Sequence, residues 1–163
     1  MKEYQIRNRH RLRKKTIREL ERQLGTIFST SFNFERSVID SAVVGELEVF
    51  IIDNEVLAWI FENKLFLTLR GLLKFKPEHM FVTVDMGAVR FISNGADVMA
   101  PGVTDADIEI QVGEPVWVRD EKNHQPLVVG ISLMTGEDMI TNHSDKAVKS
   151  FHYVGDNLWN IKI

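Results

Sequence analysis

The chain has 163 residues, with 20 Lys or Arg against 23 Asp or Glu, five His and no Cys. A composition of 44% hydrophobic and 26% charged residues is ordinary globular usage and excludes collagen-like, mucin-like and wholly disordered chains. Without cysteine there is no disulfide, no thiolate nucleophile and no Cys-ligated zinc or iron-sulfur cluster.

The net charge of -3 conceals a segregation. Residues 1 to 24 carry nine cations against three Glu, so the arm is +6 and the remaining body -9. Arg7, Arg9, Arg11, Arg13, Lys14, Lys15 and Arg18 form the densest part of this arm. Residues 7 to 24 lack Gly and Pro, and Ile17, Leu20 and Leu24 recur at helical spacing before Gly25. The spacing predicts a helix that is basic in its first half, amphipathic in its second and capped by Gly25. Such a basic arm on an acidic body fits a footprint for a polyanion, and a solvated helix that only confers solubility is the alternative.

Downstream, Glu46 to Asp53 and Glu55 to Phe61 are β-branched and aromatic runs separated by Asp53-Asn54, which reads as a hairpin. Leu65 to Phe75 follows, with Thr68 placed as a helix N-cap ahead of apolar Leu69, Leu72 and Leu73, and Pro77 stops the element. These elements make a small α/β unit over residues 1 to 76. From residue 77 the texture changes to short strands with dense turns. Val82 to Asp85 leads into one short helix, Gly87 to Asn94, and then a small-residue loop from Gly95 to Val103. Strands follow at Pro115 to Arg119, Leu127 to Leu133, Phe151 to Val154 and Leu158 to Ile161, with a turn at Gly136. Five or six short strands with one early helix predict a small, mostly antiparallel barrel, giving an α+β chain.

Catalytic constellations are missing from the sequence. No nucleophile elbow, P-loop or dinucleotide fingerprint occurs. Asp105, Asp107 and Glu109 alternate, but Ile110 stands where a calcium loop needs Gly. No two His have metal-ligand spacing. No enzyme activity, metal or cofactor is therefore expected. The longest apolar run, Val56 to Phe61, is six residues where a membrane helix needs about 20, so no membrane partner and a cytoplasmic location are expected.

The run from Val84 to Phe91 and the loop Gly95-Ala96-Asp97-Val98-Met99-Ala100-Pro101-Gly102-Val103 resemble the signature of the PUA domain, an RNA-binding module. The tail from Phe151 to Trp159 is similar to the closing strands of that family. Leu47 to Asp53, Glu55 to Trp59 and Thr68 to Lys74 resemble the small domain that precedes PUA in the malignant T-cell amplified sequence and ligatin family. The resemblance implies a pre-PUA α/β domain in residues 1 to 76 and a six-stranded PUA pseudobarrel with a short helix in residues 77 to 163.

It further implies that the helix and the glycine loop meet RNA. The implied contacts are Gly87 and Arg90 on the helix, then Gly95, Ala96, Met99, Pro101 and Gly102 in the loop, and Lys149 and His152 near the last strands. Arg90 and Lys149 would meet phosphate, the loop would offer backbone donors, and His152 would hydrogen-bond or stack. Met99, Trp117 and Trp159 also read as core residues, and Asp97 adds an unhelpful negative charge.

The leading expectation is a non-enzymatic, translation-associated protein that contacts tRNA or small-subunit rRNA. One alternative is an adaptor that recruits a protein through the acidic span Asp97 to Asp145. Another is an RNA-targeting subunit for a separate RNA-modification enzyme. Should about six arm cations meet phosphates, affinity would fall roughly a thousandfold between 50 and 200 mM salt. Deleting residues 1 to 16 is then expected to flatten that dependence and leave the body folded.

Overall fold

A computed structural model of the chain describes residues 4–163. It divides into two compact units, one running to Pro77 and including Asn160–Ile163, the other Glu78–Trp159. The α+β class expected from sequence is observed in the element order and sheets.

The first unit is a five-stranded antiparallel meander, β1 (Ile6–Arg11), β2 (Ile39–Val44), β3 (Leu47–Ile52), β4 (Glu55–Phe61) and β5 (Lys64–Leu67), in that spatial order. Its helices are α1 (Lys14–Phe28) and α2 (Leu69–Phe75). The helix expected over residues 7 to 24 is corrected: its first half is strand β1. Arg7, Arg9 and Arg11 alternate with period two, and Arg9 and Arg11 both reach Asp40 of β2, with Nε to Oδ distances of 2.7 and 2.6 Å. A backbone irregularity at Asn8, with φ of 52°, lies where the β1–β2 register shifts.

Helix α1 begins at Lys14, about one turn ahead of the apolar stripe. Leu20, Leu24 and Phe28 recur every four residues and are buried, and Phe28 packs on Phe66 with ring centroids 4.8 Å apart. Gly25 is therefore inside the helix, and Ser29 in the left-handed region closes it. Gly25 instead gives room to the returning chain, since a Cβ there would lie 2.9 Å from the Thr30 carbonyl oxygen.

The Asp53-Asn54 hairpin forms as expected, with both residues at positive φ as a two-residue turn requires. Leu65 to Leu67, ahead of the expected cap at Thr68, belong to β5, because a second two-residue turn at Glu62-Asn63 folds them back onto β4. The helix begins at Leu69, where the Thr68 hydroxyl accepts from the Gly71 amide at 3.2 Å and donates to the Val56 carbonyl at 2.7 Å. Thr68→Ala removes both bonds at a buried position and is expected to lower stability by about 2 kcal/mol in chemical denaturation.

The second unit holds six strands: β6 (Phe81–Val84), β7 (Val98–Met99), β8 (Val103–Ala106), β9 (Pro115–Asp120), β10 (Pro126–Ser132) and β11 (Lys146–Tyr153). Their order is β7-β11-β10-β9-β6-β8, antiparallel except for the parallel β6–β9 pair. The two edge strands, β7 and β8, are joined by only the 3-10 turn Ala100–Gly102. Such a link spans at most roughly 14 Å, so the sheet must curl until its edges meet, which makes it a barrel.

Two helices accompany the strands, α3 (Met86–Ile92) and α4 (Gly136–Thr141), where sequence reading expected one. Gly136 opens α4 instead of breaking the chain, because Thr135 caps the Asp138 amide at 3.1 Å. A Cβ on Gly136 would come within 2.0 Å of the Asp107 carbonyl oxygen, so glycine is needed for packing. The strand expected at Leu158 to Ile161 does not form. The Asp156 carboxylate accepts from the amides of Tyr153 and Trp159 at 2.9 and 2.8 Å and curls this segment into turns.

Candidate functional site

In the second unit, a cleft of about 570 Å³ opens at the seam where the barrel edges meet. Helix α3 forms one wall. Its N-cap Asp85 accepts from the Ala88 amide at 2.9 Å, and the Asp85 amide donates to the Gly102 carbonyl at 2.9 Å, tying the helix start to the loop end. Gly102 lies so close to α3 that an added Cβ would stand 3.3 Å from Cβ of Ala88.

The other wall is the segment from Ala96 to Gly102. It is held from behind by the Ala100 amide, which donates to the Asp145 carbonyl, and by the pairing of β7 with β11. Gly95 has a φ of 92°, and an added Cβ would meet the Tyr153 ring at 2.8 Å. Glycine is thus required there for both backbone and space.

Among the expected contacts, Gly87, Ala96, Met99, Pro101 and Gly102 line this cleft. Met99 is 48% exposed, so the core reading of that residue is corrected: β7 is an edge strand, and its register turns Val98 inward and Met99 outward. Arg90 is exposed, with its guanidinium carbon 4.8 Å from the ring centroid of Phe91. Lys149 is exposed on β11, with its ammonium 5.2 Å from the Phe151 ring centroid. Gly95 lies behind the loop against Tyr153.

His152 is corrected. It is 1% exposed, and its Nδ1 lies 2.8 Å from Asp156 Oδ2, so it supports the 153–159 turns and does not reach the surface. Trp117 is buried as expected, its indole N–H donating to the His79 carbonyl at 2.7 Å.

The sequence reading missed Phe91 and Lys146. Phe91 is 57% exposed at the cleft, although the helical period offered a signal: buried Ile92 orients α3, which turns its neighbour outward. Lys146 Nζ lies 3.1 Å from Asp97 Oδ2, while Asp97 Oδ1 accepts from the Ser150 amide at 2.9 Å. The Ser150 amide, with help from Lys146, holds the Asp97 carboxyl below its ordinary range. Asp97 is thereby paired within the wall, and its charge is partly cancelled. The cleft as a whole offers an aromatic face, a thioether and a proline ring together with the paired Lys146 and Asp97, and Arg90 stands beside Phe91 at its edge.

In the first unit, the basic arm is split by its partners. Arg9 and Arg11 are committed to Asp40, whose carboxyl they hold below the ordinary range, Arg11 most strongly. Arg7 donates to the Gly45 carbonyl at 2.7 Å. Arg13, Lys14, Lys15 and Arg18 are exposed at and beyond the start of α1, and among the described residues no ion pair holds them.

The expected acidic span is also corrected, since it is not one face. Asp107 and Asp120 are buried and accept backbone amides, from Met80 and Glu109 and from Asn123 and Gln125 respectively. Among the described residues no cluster of three or more His, Asp or Glu is placed to hold a metal ion. Among the same residues no helix is long and apolar enough to cross a membrane.

Comparison with known proteins places this geometry. A family model described as PUA domain matches residues 80–154. An uncharacterised protein of Methanocaldococcus jannaschii is 39% identical over 160 residues, covering 97% of this chain and 99% of that protein. Translation machinery-associated protein 20 of Saccharomyces cerevisiae is 27% identical over 124 residues, covering 72% and 68%. Malignant T-cell-amplified sequence 1 of Rattus norvegicus is 29% identical over 120 residues, covering 71% and 66%. The crystal structure of a hypothetical protein from Pyrococcus horikoshii superposes with a TM-score of 0.84 at 33% identity, covering 93% of this chain and 97% of that one.

Proposed function

The chain belongs to the PUA-domain family, and on that premise we propose that it is a non-enzymatic, translation-associated RNA-binding protein. Its target is tRNA or small-subunit rRNA, met by the cleft of the second unit and by the exposed cations at the start of α1. The translation assignment draws on the similarity to translation machinery-associated protein 20. The division into a pre-PUA part, residues 1–76, and a PUA part, residues 77–163, belongs to the same reading.

The observation that carries the RNA assignment is the cleft itself. A surface meant only for phosphate would be lined by unpaired cations, but here Phe91, Met99 and Pro101 dominate the lining, its cation Lys146 is paired with Asp97, and Arg90 stands beside Phe91. An unpaired nucleotide fits that division: its base lies against Phe91 and Met99 while Arg90 and Lys149 meet flanking phosphates. Glycine and alanine on both walls let the ribose-phosphate chain approach the protein backbone. His152 is absent from this contact set because it is buried.

Stacking of one base on an aromatic side chain contributes about 1–3 kcal/mol. Phe91→Ala is therefore expected to weaken binding of a tRNA transcript about tenfold in fluorescence anisotropy. A transcript lacking its unpaired 3′ end should show little difference between the two proteins. Equal affinity of wild type and variant for the intact transcript would remove the cleft from the interface.

A further inference from the structure

The second unit exposes a second apolar patch, and we propose that it docks a protein segment carrying apolar side chains flanked by Lys or Arg. Ile108 is 68% exposed, Val112 63% and Leu133 41%. Isolated exposed apolar residues are normal on soluble proteins, but these three stand on two segments that backbone hydrogen bonds hold side by side. The Gly113 amide donates to the Ser132 carbonyl at 2.8 Å, which sets Val112 beside Leu133. The Gly136 amide donates to the Ile110 carbonyl at 3.0 Å, and the Cα of Ile108 lies 3.3 Å from where a Gly136 Cβ would stand. Loop 107–114 and segment 132–136 thus present one surface.

The backbone beneath this patch is fixed. Asp107, itself buried, accepts from the amides of Met80 and Glu109 at 2.7 and 3.0 Å. Ser132 accepts from the Glu114 amide at 3.1 Å and donates to the Gln111 carbonyl. Apolar groups displayed by a rigid backbone lose little entropy when a partner covers them, which is the property of an interface anchor.

Charge identifies the partner. Glu109, Glu137 and Asp138 border the patch from loop 107–114 and the first turn of α4, all three exposed and none in an ion pair among the described residues. An apolar centre with an anionic border complements a cationic, apolar-anchored peptide and repels RNA. Strand β8 separates the two surfaces, with Gly102 of the cleft before it and Ile108 after it. This inference does not depend on the RNA reading.

The test uses the full chain as bait for a phage-displayed library of random 12-residue peptides, with synthetic copies of the selected peptides measured by anisotropy. Selected sequences are expected to combine two or more apolar residues with Lys or Arg. The variant Ile108→Ser, Val112→Ser, Leu133→Ser should bind them at least tenfold more weakly. A second variant, Glu109→Lys, Glu137→Lys, Asp138→Lys, keeps the apolar centre and should lose affinity at 50 mM salt but less at 500 mM. The three serine positions are exposed, so thermal melts and affinity for tRNA of that variant should stay at wild-type values. Selected peptides without cations, or binding unaffected by both variants, would overturn the proposal. So would concentration-dependent dimerisation that the serine variant abolishes, since the occupant would then be a second copy of the chain.

Discussion

Neutralising the exposed cations at the start of α1 together, as Arg13→Gln, Lys14→Gln, Lys15→Gln and Arg18→Gln, is expected to flatten the salt dependence of RNA binding by about three units of log-log slope. Each phosphate neutralised by the protein contributes roughly 0.7 to 0.9 to that slope through counterion release. Four contacts therefore account for an affinity loss on the order of 100-fold between 50 and 200 mM salt, which the variant should not show. The count is four and not seven because Arg9 and Arg11 are held by Asp40 and Arg7 by the Gly45 carbonyl. A salt titration of anisotropy on wild type and variant reads the difference directly, and parallel slopes would remove the arm from the interface. Deletion of residues 1 to 16, the obvious experiment from sequence, is the wrong one. It would strip β2 of its edge strand, remove the Leu12 amide bond to the Ile39 carbonyl, and leave the Asp40 carboxylate, 6% exposed, without either guanidinium. The substituted helix keeps its buried face of Leu20, Leu24 and Phe28 and so isolates charge from folding.

What the sequence made legible follows from which signals are local. The Asp53-Asn54 hairpin, the Thr68 cap and the apolar runs of β9 and β10 each declare themselves within a few residues, and each appears where expected. Strand β1 does not, because an arginine-rich segment has no apolar period of its own. Its strand character comes from Asp40, some thirty residues away. The same holds at the candidate site. The loop from Gly95 to Gly102 could be named from its small residues, yet the outward turn of Met99 depends on pairing with β11, and the burial of His152 depends on Asp156. Phe91 was legible in principle from helical period, whereas Lys146 becomes part of the cleft only through its tertiary contact with Asp97. The acidic span failed for a related reason: a carboxylate that accepts backbone amides in a turn is indistinguishable, in sequence, from one that faces water.

Asp156→Ala is expected to lower stability by about 4 kcal/mol and, through the turns it disrupts, to weaken the RNA cleft. One carboxylate accepts from the Tyr153 and Trp159 amides and from the His152 ring, and leaving a buried donor unpaired costs about 1–3 kcal/mol each. Burial works against the charge of Asp156, but the His152 hydrogen bond and the two amides outweigh it and hold the carboxyl below its ordinary range. A depressed folded-state pKa stabilises the protein above the unfolded value near 3.9, and that contribution disappears as pH falls through the lower folded value. Wild type should therefore lose stability below about pH 4, and Asp156→Ala should lose less over the same interval, as read by urea denaturation at successive pH values. The functional consequence runs through Tyr153, the residue whose amide Asp156 holds and whose ring lies 2.8 Å from the position of a Gly95 Cβ. Loosening that ring frees the Gly95 turn that leads into Ala96, one wall of the cleft. Asp156→Asn retains an acceptor and should fall between wild type and alanine in both stability and affinity. If the alanine variant, still folded at neutral pH, binds tRNA as tightly as wild type, the 153–159 turns do not position the loop and the cleft holds its shape from α3 alone.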